Sequence, residues 1–157
     1  MISSISDVIK DPRFPKGSAW KQRSFQANET IVEEGEDGKT LFLVTAGTLR
    51  VTASVIIEED RRVQPGLCDL SAGDLFGELC LFGNHPRSAS VVAVTDGELI
   101  EIDAKQLRTY MDANPETGYL ILKELFDTIT QRLNKANKRA EQLFSWGLKA
   151  HGIHKHL

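Results

Sequence analysis

A mainly β domain followed by C-terminal helices is the fold class this chain calls for, and three observations carry it. From about Lys21 to Asp103, short β-rich runs alternate with turn signals every eight to twelve residues. After Asp103 the period becomes helical. The chain has 157 residues, 41% hydrophobic and 26% charged, enough for one soluble domain with a packed core, or one domain plus an appendage.

The elements follow in order. Residues 1–19 form an N-terminal segment with breakers at Pro12, Pro15 and Gly17, so a short helix is expected near Ser6–Lys10 and then loop. Residues 20–103 are the β domain. Its runs are Thr30–Glu33, Thr40–Ala46, Thr48–Ile57, Gly66–Ser71, Ser88–Val94 and Glu98–Ile102. Gly35, Gly38, Gly47, Pro65-Gly66, Gly73 and Asp96-Gly97 punctuate them. LFLVTAGTLRV reads as two strands joined at Ala46-Gly47-Thr48, and Glu58-Glu59-Asp60-Arg61-Arg62 as a solvated hairpin tip. Residues 104–146 are helical. One short helix covers Ala104–Ala113 and ends at Asn114-Pro115; Pro115 suits the first turn of a long helix from about Glu116 to Trp146. Gly147 and Gly152 break the pattern, and residues 147–157 are expected to fray.

The long helix carries a seam. Leu122, Phe126, Ile129, Leu133, Ala136, Ala140 and Leu143 follow a 4-3-4-3-4-3 spacing, the repeat of a coiled coil. Ala136 and Ala140 are small enough for close approach. A homodimer through Ile129, Leu133, Ala136 and Ala140 is therefore expected, against the plainer reading that the stripe packs on its own domain. Ile121 and Leu125 lie to the side of the seam.

Composition removes several function classes. A net charge of −3 gives no global field toward nucleic acid or an anionic membrane. The N-terminus lacks a basic region followed by an apolar run, and no stretch approaches the roughly 20 apolar residues that span a bilayer. A cytoplasmic protein without membrane attachment is expected. Cys68 and Cys80 lie in apolar patterned stretches and read as buried reduced thiols. Only His85 lies in the β region, so a metal-dependent enzyme of the cupin type is disfavoured, and no metal site is expected. His151, His154 and His156 read as a tail. No nucleophile–base pair sits on rigid elements. Neither catalysis nor a cofactor is expected.

The segment Phe76–Val91, FGELCLFGNHPRSASV, concentrates the chemistry. Gly77 at a strand-to-helix junction allows close backbone approach to a ligand. A helical turn over Glu78–Phe82 would point N–H groups at an anion. Arg87 offers a forked donor set to a phosphate, and Ser88 a hydroxyl. Glu78 would repel a phosphate and makes sense as an acceptor for sugar hydroxyls. Alone, a Glu and an Arg nine residues apart most often form a structural ion pair. Together with Gly77 and Ser88 they describe a site for a nucleotide bearing one phosphate charge.

This segment resembles the phosphate-binding cassette of cyclic nucleotide-binding domains, the family of bacterial catabolite activator proteins, kinase regulatory subunits and nucleotide-gated channels. Phe25, Ile31, Glu34-Gly35, Gly47 and Gly73-Asp74 resemble its upstream markers, so the likeness covers roughly residues 20–145. The resemblance implies an eight-stranded antiparallel jelly-roll barrel of cupin-like, double-stranded β-helix topology, with a long C-terminal helix closing over the ligand. It implies that Arg87 binds the cyclic phosphate and Glu78 the ribose 2′-OH. Gly77, Leu79 and Cys80 would line the sugar-phosphate through their backbone, with Ser88 on the phosphate or base and Ala89 beside it. Cys80 departs from the family's usual Ala. The activator's Thr-Ser pair that reads adenine becomes Ala136-Asn137 here, and Asn137 offers hydrogen bonds to adenine or guanine. The expected ligand is cAMP in preference to cGMP.

The activator proteins continue into a helix-turn-helix DNA reader, for which residues up to Leu157 leave no room; no DNA binding is expected, and Lys135, Lys138 and Arg139 read as a solvated face. The expected function is a stand-alone cyclic nucleotide receptor acting in trans on a separate effector protein. The alternative is a dimerising interaction module with a degenerate or unoccupied pocket.

Overall fold

The strand order of two sheets explains how distant parts of the chain reach the cassette. A computed structural model describes residues 3–58, 61–63 and 66–152. They fall into two compact units that divide between Ile121 and Leu122. In chain order the elements are α1 (Ser3–Lys10), β1 (Trp20–Phe25), β2 (Thr30–Val32), β3 (Thr40–Ala46), β4 (Leu49–Thr52), β5 (Val55–Glu58), β6 (Arg61–Val63), β7 (Gly66–Leu70) and β8 (Leu75–Phe76). A 3₁₀ turn at Glu78–Cys80 precedes β9 (Ser90–Ala93), β10 (Gly97–Asp103), α2 (Ala104–Ala113) and α3 (Pro115–Ala150).

One antiparallel sheet has the order β1-β10-β3-β8 and the other β2-β9-β4-β7; β5 and β6 form a separate ribbon. The chain changes sheet at Ala46-Gly47-Thr48. The two strands expected there are present, but β3 and β4 pair in different sheets. No ladder closes the sheets into a barrel among the described residues, so the expected eight-stranded barrel is seen as two four-stranded sheets.

The core lies between them. Phe25, Phe42, Val44, Phe76 and Leu99 of the first sheet meet Ile31, Val32, Leu49, Leu70, Val91 and Ala93 of the second in one buried cluster. Phe42 and Phe76 stack with centroids 4.8 Å apart, worth about 0.5–1.5 kcal/mol beyond their burial. Alternation along β3 turns Leu41 and Leu43 to the opposite face. They are equally buried, so this sheet is covered on both sides, which accounts for the unbroken LFLV run.

Three strands escape the sequence pattern: β1, β6 and β8. β1 buries only Phe25 and pairs only with β10, so it reads as a polar, Lys- and Arg-bearing edge. β8 has two residues. The run Thr48–Ile57 divides into β4 and β5. Of the expected tip Glu58–Arg62, Glu58 ends β5 and Arg61 and Arg62 begin β6, so these three are strand residues in a hairpin pairing; residues 59 and 60 lie outside the described residues. Cys68 is exposed on β7, contrary to expectation, whereas Cys80 is buried; both are free thiols.

The helical boundaries follow local chemistry. The Asp103 carboxylate caps α2 by accepting the Gln106 N–H at 2.8 Å. Pro115 opens α3, which runs through Gly147 to Ala150. Ile121 and Leu125 are buried, while Phe126, Leu133, Leu143, Phe144 and Trp146 are exposed. No helix among the described residues is long and apolar enough to cross a membrane. His154 and His156 fall outside the described residues.

The N-terminal segment is tied to α2. Asp11 receives a forked pair of bonds from Arg13 and the Tyr110 hydroxyl at 2.6 Å, and Arg13 Nη1 reaches Asn114 at 2.7 Å. Phe14 meets the Tyr110 ring edge-on. Arg13 and Tyr110 together hold the Asp11 carboxyl well below the usual carboxylate range.

Candidate functional site

The cassette begins where β8 ends. β8 pairs with β3, Phe76 opposite Phe42 and Leu75 opposite Leu43. Gly77 then takes the left-handed conformation, with φ 78° and ψ 13°, and turns the chain into the 3₁₀ turn. A Cβ at Gly77 would also lie 2.9 Å from the Thr40 carbonyl oxygen, so the position needs glycine for its conformation and its space. The turn closes through the Leu81 N–H on the Glu78 carbonyl at 3.0 Å. Leu81 is buried, and Arg108 of α2 donates to its carbonyl at 2.6 Å. Leu79 and Phe82, on the same segment, are exposed by 51% and 65%.

The return leg is held by the loop before β3. Asp37 bridges Pro86; the Arg87 N–H donates to the Glu36 carbonyl and the Gly35 N–H to the Arg87 carbonyl, each at 2.8 Å. The backbone of Arg87 is thereby fixed. Its half-buried side chain runs back over β3. Nη2 donates to the Thr40 carbonyl at 2.9 Å, and Cζ lies 5.5 Å from the Phe42 ring centroid. Neither partner neutralises the charge, and no carboxylate pairs with Arg87 among the described residues.

Cys80 links the two legs. Its thiol donates to the Gly77 carbonyl at 3.0 Å and lies 3.5 Å from the same Thr40 carbonyl that receives Arg87. Burial pushes the Cys80 thiol up; Arg87 pulls the other way, and Glu78 adds to the rise.

The fold thus brings Gly77, Glu78, Leu79, Cys80 and Arg87 into one locality. Glu78 is half-buried at the start of the turn, Ser88 exposed, and Ala89 half-buried before β9. Asn137 is exposed on α3 in the second unit. Sequence reasoning missed the supports: the Thr40 carbonyl, the Phe42 ring, Arg108, and Gly38 beyond its role as punctuation. Only Gly38 left a trace, as an extra glycine in EGEDGKT; backbone carbonyls and packing rings leave none. Among the described residues, no group of three His, Cys, Asp or Glu side chains could hold a metal ion.

The family model for the cyclic nucleotide-binding domain matches residues 22–114. The chain belongs to the cyclic nucleotide-binding domain family. Among sequence relatives, the cAMP-activated global transcriptional regulator of Haemophilus influenzae is 33% identical over 120 residues, 76% of this chain and 50% of that protein. A CRP-like cAMP-activated global transcriptional regulator of Mycobacterium tuberculosis is 27% identical over 146 residues, 90% of this chain and 55% of the other. The chain thus spans about half the length of the regulators it matches. Among solved structures, the catabolite activator protein of Thermus thermophilus superposes with a TM-score of 0.69 at 25% identity, covering 90% of this chain and 59% of that one. The regulatory domain of the Toxoplasma gondii kinase PKA, solved with cAMP, gives 0.54 at 26% identity, covering 68% and 36%. These relatives are described as regulators and regulatory domains.

Proposed function

We propose that this chain is a cyclic nucleotide receptor module, with cAMP favoured over cGMP, and that ligand-induced movement of its C-terminal helix signals in trans. The observation that carries the reading is Arg87: a half-buried guanidinium, locked at its backbone and resting on a neutral carbonyl and a ring. A partly desolvated charge of this kind gains most from an anion. Glu78 supplies the acceptor for ribose, and Gly77, Leu79, Cys80, Ser88 and Ala89 the backbone and hydroxyl wall. Asn137 would read the base. The relatives named as cAMP-activated favour cAMP. Two four-stranded sheets are also what an eight-stranded jelly roll supplies.

The output follows from α3. Its seam residues Phe126 and Leu133 are exposed by 74% and 57%, which supports a homodimer through Ile129, Leu133, Ala136 and Ala140, and a ligand-dependent shift between two helix positions. The double substitution A136E/A140E is expected to give a monomer in sedimentation velocity; an unchanged mass would place any dimer interface elsewhere.

Calorimetric titration of the protein, freed of copurified nucleotide, with cAMP and cGMP side by side tests the function. Micromolar or tighter binding is expected, with cAMP ahead. Binding of neither would overturn the receptor reading and leave an interaction module with an unoccupied pocket.

A further inference from the structure

We infer that Gly38 is a positioning residue for Arg87: lacking a Cβ, it leaves open the slot in which the guanidinium lies. An ideal Cβ built at Gly38 would stand 2.6 Å from Arg87 Cζ, 2.6 Å from Nε and 2.8 Å from Nη1. Carbon contacts are most favourable at roughly 3.5–4.0 Å, so all three are severe overlaps.

What must yield is the side chain. The Arg87 backbone is clamped by Gly35 and Glu36 on the same loop that carries Gly38. The crowded atoms all belong to the far end of one flexible chain, so a methyl group at Gly38 drives the guanidinium off the Thr40 carbonyl and away from the Phe42 ring. Gly38 does not occupy the left-handed region, so alanine suits its backbone. Gly77 also borders the guanidinium, 2.8 Å from Nη1 to an added Cβ. There the φ of 78° and the Thr40 oxygen would strain the backbone as well. Gly38 is therefore the position at which Arg87 can be displaced while the fold is kept. The consequence for binding rests on the reading of Arg87 as the phosphate-binding residue.

The test compares wild type, G38A, R87A, G38A/R87A and G147A. At Gly147 an added Cβ meets nothing within 4 Å, so G147A calibrates an inert methyl group. Affinity for cAMP and cGMP is measured by calorimetry, and the Arg87 Nε–H resonance of the ligand-free protein by NMR, assigned through its absence in R87A. The G38A protein is expected to keep its circular dichroism, to shift the Arg87 resonance, and to bind at least about fivefold more weakly, short of the roughly 30-fold or greater loss from R87A. Adding G38A to R87A should cost nothing further, and G147A should bind as wild type. An unmoved Arg87 resonance in G38A, with or without weaker binding, would overturn the inference. So would an unfolded G38A, because the glycine would then serve the loop itself. If wild type binds neither nucleotide, the receptor reading fails, while the resonance still decides what Gly38 does.

Discussion

Arg13 and Arg87 both sit in the β unit, and the fold treats them oppositely. Arg13 is paired: it makes forked bonds to Asp11, reaches Asn114, and covers the Tyr110 ring at 5.8 Å. The result is a knot between the N-terminal segment and α2. Arg87 spends one amino group on a carbonyl and its face on a ring, and no described carboxylate answers its charge. The same side chain fastens structure in one place and keeps a charge that no described carboxylate pairs in the other. What separates them is the neighbourhood, not the residue type.

The largest effect should come from breaking that contrast at its functional end. Replacing Arg87 with Ala is expected to cost about 2–5 kcal/mol of nucleotide binding by calorimetry, as for one side of a buried charge pair. Arg13→Ala should leave nucleotide affinity where it was and lower thermal stability instead. Equal losses of affinity in the two variants would erase the distinction.

The next effect is on the knot and depends on pH. Asp11 is held below its ordinary value of 3.8 by Arg13 first and Tyr110 next. A lowered carboxylate stabilises the fold above that ordinary value and loses its contribution as pH falls through the folded-state value. The stability advantage of wild type over D11N in urea unfolding should therefore be constant near neutrality and shrink below about pH 4. An advantage that persists unchanged at pH 2 would remove the ion pair from the knot.

The smallest effect probes the surroundings of Arg87. Burial raises the Cys80 thiol more than Arg87 lowers it, so Cys80 stays protonated at neutral pH. Exposed Cys68 should react with a disulfide reagent in a fast phase that C68A abolishes, leaving Cys80 slow. Fast labelling in C68A would mean that the cassette turn is not packed as described.

Much of this was legible from the chain. The helical period of residues 104–113 and the Asn114-Pro115 stop mark α2 to the residue, because caps and proline act locally. The run LFLV announces β3, because burial on both faces demands continuous apolar character. β1 stayed hidden because an edge strand has little to bury, and β8 because two residues hold no period. Within the cassette, Gly77, Glu78 and Arg87 were visible as types at a spacing. Gly38, Thr40, Phe42 and Arg108 were not, since they act through a missing Cβ, a carbonyl, a ring face and a reach from another element.

By itself, then, the sequence determined which groups are available: a guanidinium, a carboxylate, a turn-forming glycine, and the strands and helices that carry them. Those are properties of residue types and of periods along the chain. Only the tertiary structure decided that, among the described residues, Arg87 has no carboxylate partner while Arg13 pairs with Asp11. Charge neutralisation depends on which groups come within about 4 Å in space, and partners 47 residues apart, such as Arg87 and Thr40, meet only when the sheets assemble.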